Sequence, residues 1–135
     1  MSLDGIRVFY IEDDLKNRTI VQTILEASGC VLDYEQWGFP EITLRKLIRF
    51  RPQIILLDLM FAHQTTGYDV FKAIRRHPQF QHIPIIAVSA ADASIEIPKT
   101  RAHGFNGFIS KPLDIRLFPK QIEKVLEGET IWYTG

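Results

Sequence analysis

The stretch that decides the fold is Gln53-Ile54-Ile55-Leu56-Leu57-Asp58-Leu59-Met60. Its four central apolar residues run without alternation, which is typical of a strand buried on both faces of a parallel sheet. The strand delivers a carboxylate, Asp58, at its C-terminal end. Open α/β sheets bind ligands at the carboxyl ends of their strands, so Asp58 lies where chemistry is expected. Taken alone, such an aspartate is more often a loop or capping residue. A functional role for Asp58 therefore depends on the side chains that the other strands bring to the same edge.

The rest of the chain alternates between apolar strand-like runs and amphipathic helices. Strands are predicted at residues 6–11, 31–35, 54–57, 83–88 and 105–109, and helices at 15–28, 40–51, 68–76, 92–103 and from between 113 and 119 to 127. Five strands alternating with five helices predict a parallel α/β sheet covered on both faces. The common small solution is the flavodoxin-like, doubly wound (βα)5 sheet of order 2-1-3-4-5, with its site between strands 1 and 3. Residues 1–127 form the predicted domain, and 128–135 a tail without clear structure or output domain.

Two of the helices carry specific expectations about their side chains. The second helix is predicted to face inward with Ile42, Leu44, Leu47 and Ile48, and the first with a stripe that includes Ile20. In the fourth helix, Pro98 must either begin the regular part or kink it, because proline has no N–H to donate.

Acidic side chains end the two strands that flank the predicted site. Strand 1 runs into Glu12 and Asp13, and strand 3 into Asp58. Three carboxylates within a few ångströms repel one another, so the arrangement is costly unless a cation lies among them. Hard oxygen donors with room for water suit Mg²⁺, which needs near-octahedral geometry. The sequence therefore predicts a magnesium site at this edge.

Strands 4 and 5 bring a hydroxyl, Ser89, and a positive charge, Lys111, to the same edge. Together these groups would bind the three oxygens of a phosphoryl group carried on Asp58. A carboxylate can be the nucleophile in such chemistry, giving an aspartyl-phosphate. The reaction then depends on positioning and charge neutralisation more than on covalent help from other residues.

Four segments resemble, in order, the signature segments of response-regulator receiver domains of two-component signalling. They are Tyr10-Ile11-Glu12-Asp13-Asp14, Leu56-Leu57-Asp58-Leu59-Met60, Ala87-Val88-Ser89-Ala90 and Ile109-Ser110-Lys111-Pro112. The resemblance covers roughly residues 6–127. Each segment alone is weak evidence, but all four in order, each at a strand end, are specific.

The resemblance implies a role for each residue at this edge. Asp58 is the implied phosphoacceptor, and Mg²⁺ is held by Glu12, Asp13, Asp58 and the backbone carbonyl of Met60. Asp14, beside the acidic pair, is expected to be solvated or to cap the first helix.

The same resemblance implies residues that sense the phosphoryl group. Lys111 is the phosphate-pairing lysine, Ser89 the switch hydroxyl, Phe108 the switch aromatic and Ala90 the small residue that keeps the acceptor accessible. Phe108 replaces the commoner tyrosine, so its position depends on apolar burial alone, and it is expected to lean inward even without phosphate. The output surface is expected to be helix 4, strand 5 and helix 5.

The loop after Asp58 departs from the family pattern. Ala62 stands where receivers usually have a proline, and the loop to Gly67 is one residue longer than usual. Ser89 in place of threonine loses only a methyl group. The metal-binding carbonyl is expected to survive these changes.

Composition excludes several classes of function. The chain has 135 residues, 46% of them hydrophobic, with 16 basic and 16 acidic side chains. The balanced charge and the lack of a basic run argue against binding to nucleic acid or an anionic membrane. We find no secretory signal and no apolar stretch near the ~20 residues that span a bilayer. The lone Cys30 excludes an internal disulfide, fits a reducing, cytoplasmic compartment and is expected to be a buried structural thiol.

Three functional readings remain open at this stage. The favoured one is a signalling switch that receives its phosphoryl group from a sensor histidine kinase or phosphotransfer protein and then binds an unknown downstream protein, with a homodimer left open. The second is a receiver fold used as a constitutive interaction module. The third is an aspartate-nucleophile phosphatase, which would normally have a second acid where this chain has Met60. The four histidines (His63, His77, His82 and His103) have no metal-ligand spacing and are expected at the surface.

Overall fold

The computed structural model describes residues 1–61 and 64–135. In those residues a six-stranded sheet is flanked by five α-helices. The strands are β1 (Arg7–Ile11), β2 (Val31–Glu35), β3 (Ile54–Leu57), β4 (Ile85–Ser89), β5 (Gly107–Ser110) and β6 (Ile131–Tyr133). The helices are α1 (Leu15–Glu26), α2 (Pro40–Phe50), α3 (Gly67–Arg76), α4 (Ala93–His103) and α5 (Leu117–Leu126), with a short 3₁₀ helix at Pro78–Phe80.

All six strands are parallel, and their order across the sheet is β2-β1-β3-β4-β5-β6. The flavodoxin-like order predicted for the first five strands is confirmed. β1 pairs with β2 on one side and β3 on the other, so the winding of the chain reverses at this point. The carboxyl ends of β1 and β3 are therefore the place where a doubly wound sheet binds its ligand.

Two apolar layers cover the sheet. Residues of α1 and α5 pack on one face, together with Val8 and Tyr10 of β1. Residues of α2, α3 and α4 pack on the other face, together with Phe9 and Ile11. Because successive strand residues point to opposite faces, Glu12 continues the row of Tyr10 on the α1 and α5 side.

Polar side chains cap three helices where they leave the carboxyl edge of the sheet, and at α4 the cap is Asp92, which accepts a hydrogen bond from the Ser94 amide. Asp14 accepts a hydrogen bond from the Lys16 amide at the start of α1, which is the capping role expected for it. Thr66 and Asp69 form a reciprocal capping box at the start of α3. Pro98 lies inside α4 rather than at its start, and it removes one backbone donor from that helix.

The expectation of an unstructured C-terminal tail was wrong. Ile131–Tyr133 form β6, which pairs with β5 so that Gly107 lies opposite Ile131. Gly107 permits this approach, because a Cβ there would lie 2.7 Å from the carbonyl oxygen of Ile131. The Arg101 guanidinium of α4 lies 4.9 Å from the centroid of the Trp132 ring, a cation–π distance. The sixth strand is thus held by both β5 and α4.

Three predicted core residues are instead exposed. Ile42 and Ile48 of α2 are 46% and 39% exposed, and the helix buries Thr43 and Leu47. Ile20 of α1 is 44% exposed. Apolar periodicity placed these side chains one position away from the true buried stripe.

Cys30 is buried, and burial raises the pKa of its thiol to about 11. The predicted burial is confirmed, and a raised thiol pKa leaves little of the reactive thiolate, which agrees with a structural role.

Ala62 and His63, which carry two of the sequence expectations, lie outside the described residues. His82 and His103 are exposed as predicted, and His77 is half-buried. Among the helices that the structure describes, none is both long and apolar enough to cross a membrane.

Candidate functional site

Three carboxylates converge at the carboxyl edge of β1 and β3. One oxygen from each of Glu12, Asp13 and Asp58 lies within 4.8 Å of the others. The Asp58 amide donates to the Ile11 carbonyl at 3.2 Å, which extends the pairing of the two strands by one residue. Glu12 and Asp58 are buried and Asp13 is half-buried. The strand pairing therefore places all three predicted acids in one cluster.

The Lys111 ammonium lies inside this cluster. Its Nζ is 2.7 Å from Glu12 Oε1 and 3.9 Å from Asp58 Oδ2. The Lys111 amide donates to the Ser89 carbonyl at 2.9 Å, so β4 fixes the backbone from which the side chain extends. The next peptide bond, to Pro112, is cis. The single positive charge offsets part of the carboxylate repulsion, and it lies nearer to Glu12 than to the expected acceptor.

The two oxygens of Asp58 have different surroundings. Oδ1 accepts hydrogen bonds from the amides of Leu59 at 2.8 Å and Met60 at 3.4 Å. Oδ2 is the oxygen that faces Lys111. The carboxylate plane is therefore fixed by its own loop, which leaves Oδ2 directed toward the ammonium.

Gly67 packs against the backbone of Asp58 and Leu59. A Cβ at this position would overlap the Asp58 carbonyl oxygen and lie 2.7 Å from the Leu59 Cα. The Gly67 amide donates to the Leu59 carbonyl at 3.0 Å, and Met60 forms an isolated bridge with Thr66. The loop after Asp58 is thus closed at its base, and only glycine fits where α3 begins.

Burial and neighbouring charges change the acidity of the two buried carboxylates. Burial, followed by the nearby Glu12 carboxylate, raises the pKa of Asp58 to about 7, although Lys111 opposes the change. Burial also acts to raise the pKa of Glu12, but the hydrogen bond from Lys111 and its other neighbours together lower it below the ordinary value. Of the pair, Asp58 is therefore the carboxylate that holds a proton more readily.

The donor set fits a magnesium ion. Glu12 Oε2 is buried and has no hydrogen-bond partner in the part of the chain that the structure describes. A buried carboxylate oxygen without a partner is costly, and a cation would satisfy it. The group offers only carboxylate oxygens, which favours a hard cation such as Mg²⁺ over zinc or copper. Glu12, Asp13 and Asp58 could therefore hold this metal, and the Met60 carbonyl stays a prediction.

An open cavity of about 730 Å³ lies over the cluster. Its lining includes the acids, Lys111, Met60 and Ala90, with apolar walls from Ile20, Leu113 and Ile115. Ile20, Met60 and Ile115 are 44%, 62% and 72% exposed. A smaller groove of about 400 Å³, lined in part by Trp37, Phe39 and Phe61, adjoins Asp13 on the other side. Asp58 and Ala90 thus both line this open cavity.

Ser89 is buried at the end of β4, and Phe108 is buried within β5. The Ser89 hydroxyl oxygen accepts a hydrogen bond from the Ala91 amide at 3.1 Å. Phe108 is completely buried on the α2 and α3 side of the sheet, and its inward lean stays a prediction. Trp132 of β6 is its neighbour in register.

Sequence reasoning missed one polar contact of the cluster. The Tyr10 hydroxyl donates to Glu12 Oε1 at 3.0 Å, and Tyr10 is completely buried. Burial and the adjacent Glu12 carboxylate raise the pKa of Tyr10 far above its ordinary value, so the hydroxyl remains a donor. The signal was the spacing of two residues on one strand, which places both side chains on the same face.

Comparison with known proteins identifies the family. The chain matches the model of the response regulator receiver domain over residues 8–123. It belongs to this receiver family. Receiver domains are signalling switches of two-component systems rather than conventional enzymes.

Relatives of this receiver agree with that assignment. The polar-differentiation response regulator DivK of Brucella anthropi is 29% identical over 119 residues, which cover 88% of the receiver and 94% of DivK. The chemotaxis protein CheY4 of Vibrio cholerae has the same fold, with a TM-score of 0.79 and 21% identity over 90% of this receiver and 98% of CheY4.

A third relative is the receiver domain of sensor histidine kinase PA1611 of Pseudomonas aeruginosa. That structure has a magnesium ion coordinated in its active site cleft. It superposes with a TM-score of 0.72 and 22% identity, covering 91% of this chain and 95% of that one.

Proposed function

We propose that this receiver is a phosphoacceptor switch, in which Asp58 takes a phosphoryl group from a histidine kinase or phosphotransfer protein in an Mg²⁺-dependent reaction. The observation that carries the proposal is the convergence of three carboxylates and one ammonium at a buried edge. Repulsion among the carboxylates makes such a cluster costly when no cation is bound. Clusters of this kind are found at functional sites, and this one is suited to a cation and an anionic group. The opening of the cavity over Asp58 gives a donor access to it.

Asp58 Oδ2 is the proposed nucleophile. Hydrogen bonds from the amides of Leu59 and Met60 hold Oδ1, which orients Oδ2 toward the incoming group. A P–O bond forms as Oδ2 attacks phosphorus, and the P–N bond to the donor histidine breaks. The Lys111 ammonium, 3.9 Å from Oδ2, lies where it can pair with the phosphoryl oxygens.

Glu12, Asp13, Asp58 and the Met60 carbonyl are the proposed ligands of Mg²⁺. When bound, the ion neutralises the carboxylates and the oxygens of the transferred phosphoryl group. The raised pKa of Asp58 leaves part of it protonated near neutrality, and only the ionised carboxylate can attack. A cation beside Asp58 favours the ionised form, which supports the proposed Mg²⁺ dependence.

We propose that Ser89 and Phe108 relay phosphorylation to the surface formed by α4, β5 and α5. The Ser89 hydroxyl would turn from the Ala91 amide toward a phosphoryl oxygen. The complete burial of Phe108 supports a surface that is partly switched before phosphorylation. β6 belongs to this surface, because it covers the outer edge of β5. A downstream protein would bind there, and a second copy of the chain is an alternative occupant.

Intact mass spectrometry after treatment with acetyl phosphate tests the proposal. We expect a gain of one phosphate with Mg²⁺, none with a chelator, and none in Asp58→Asn. Asp92→Asn is the matched control, because Asp92 is an exposed acid at the same edge that only caps α4. Undiminished labelling of Asp58→Asn would place the acceptor elsewhere.

A constitutive interaction module is the second candidate. The observation in its favour is that Phe108 is buried and that β6 pairs along the outer edge of β5, so this surface is already covered. Absence of labelling in the experiment above would favour this module. The phosphatase reading has less support, because the family match assigns the chain to receivers and Met60 stands where a second acid is needed. A cytoplasmic location is part of the proposal, since kinases of this type present their histidine there.

A further inference from the structure

The Lys111 ammonium is closer to Glu12 than to Asp58, the proposed acceptor. The Nζ is 2.7 Å from Glu12 Oε1 and 3.9 Å from Asp58 Oδ2. A phosphoryl group on Asp58 carries about two negative charges and attracts the ammonium more strongly than a single carboxylate does. If Lys111 moves to the phosphoryl oxygens, Glu12 Oε1 loses its charged donor while it remains buried. Leaving a buried carboxylate oxygen without a hydrogen-bond donor costs free energy, and this cost opposes the movement of Lys111.

A second donor is already in contact with the same oxygen. The Tyr10 hydroxyl lies 3.0 Å from Glu12 Oε1, and both side chains are completely buried. Glu12 directly follows β1, two residues after Tyr10, so the two side chains lie on the same face of the sheet. The other oxygen, Oε2, has no hydrogen-bond partner among residues 1–61 and 64–135. Tyr10 and Lys111 thus share one oxygen of Glu12, and the other is left for a cation.

We propose that Tyr10 is a positioning residue that holds Glu12 Oε1 when Lys111 turns to the phosphoryl group on Asp58. Glu12 then keeps its orientation, with Oε2 directed at the metal, in both states of the site. The inference rests on the proposed function, because it concerns the phosphorylated state. It predicts that the Tyr10 hydroxyl contributes little to ligand affinity while Lys111 is bonded to Glu12. Its contribution becomes large once Lys111 has moved to the phosphoryl group.

The test compares two affinities in Tyr10→Phe, which keeps the ring and removes only the hydroxyl. Mg²⁺ alone is titrated by amide chemical shifts, and beryllofluoride, a phosphoryl mimic that binds the acceptor carboxylate, is titrated at saturating Mg²⁺. We expect the Mg²⁺ affinity to change less than about twofold, since Lys111 still holds Oε1. The beryllofluoride affinity should fall by about tenfold, the scale of one hydrogen bond to a charged group. A thermal melt confirms that the variant is folded.

Tyr34→Phe is the matched control. Tyr34 lies opposite Tyr10 on β2, and its hydroxyl is buried with no hydrogen-bond partner in the described part of the chain. Both affinities should be unchanged in this variant. Equal losses of Mg²⁺ and beryllofluoride affinity in Tyr10→Phe would mean a merely structural role and would overturn the inference. So would two unchanged affinities. If wild type itself binds Mg²⁺ but no beryllofluoride, the proposed function fails and the role of Tyr10 fails with it.

Discussion

The carboxyl edge of β1 and β3 and the outer edge of the sheet at β6 are built in different ways. At the first, each functional side chain directly follows a strand, and parallel pairing alone brings Glu12, Asp13 and Asp58 together. At the second, a three-residue strand is held by a glycine that gives it room and by an arginine over Trp132. The first depends on the topology of the sheet, and the second on a few particular contacts at its margin.

Because of this difference, the acid cluster and the pairing of β6 should respond to different substitutions. Strand ends stay in place as long as the sheet forms, so the acid cluster tolerates changes elsewhere. The pairing of β6 depends on a few contacts at the margin of the sheet. If the proposed output surface includes β6, its strength can be tuned without changing the acceptor site. The three predictions below test that independence.

The largest effect is expected for Gly67→Ala, at the carboxyl edge. The new Cβ overlaps the Asp58 carbonyl oxygen and the Leu59 backbone, so α3 or the acceptor loop must shift. We expect a loss of about 3 kcal/mol in the free energy of unfolding, measured by urea denaturation, together with impaired labelling of Asp58. Gly38→Ala is the control, because nothing lies within 4 Å of a Cβ there. Equal stability of the two variants would contradict the close approach at Gly67.

A smaller effect is expected for Trp132→Ala, at the outer edge. The change removes the contact with Arg101 and part of the cover over Phe108. We expect a loss of about 1–2 kcal/mol, with Mg²⁺ affinity unchanged. Arg101→Gln removes only the cation–π contact and should lose about 0.5–1 kcal/mol. A change in Mg²⁺ affinity in either variant would show that the two edges are coupled before phosphorylation.

The smallest effect concerns pH. The pKa of Asp58 is raised in the folded state from 3.8 to about 7, so the folded protein holds this proton where the unfolded chain has lost it. Stability is therefore greatest at the acidic end of that window and falls as pH rises through it. Between pH 6 and pH 7, without Mg²⁺, we expect a loss on the order of 1 kcal/mol, measured by thermal melts in a chelator.

The pH profile also assigns this charge effect to one edge. Asp58→Asn should flatten it, whereas Trp132→Ala should keep the wild-type slope. Mg²⁺ should flatten the wild-type profile too, because a cation keeps Asp58 ionised. A slope that persists in Asp58→Asn would assign the effect to another group.

The sequence was sufficient for the sheet order and for the acid cluster. The uninterrupted run at residues 54–57 marked the central strand, and a residue that follows such a strand has its position set by the fold. The approach of Glu12, Asp13 and Asp58 therefore needed no knowledge of side-chain packing. Asp14 could also be assigned as a helix cap, because this role depends only on its local position before α1.

The features that were missed depend on packing. The three residues of β6 are too short to show a period, and their pairing requires the room left by Gly107. The buried stripe of α2 falls on Thr43 and Leu47, and Thr43 is a polar residue that apolar periodicity does not select. The hydrogen bond from Tyr10 to Glu12 could have been found from their spacing, but its length and burial belong to the folded site.

The two tryptophans give each edge its own optical reporter. Trp37 lines the groove beside Asp13, and Trp132 lies on β6 under the Arg101 guanidinium. Indole emission responds to nearby charge and to solvent, so metal binding and release of the C-terminal strand would each act on a different ring. Trp37→Phe and Trp132→Phe variants separate the two signals. The molecule can therefore be followed at both places without an attached dye.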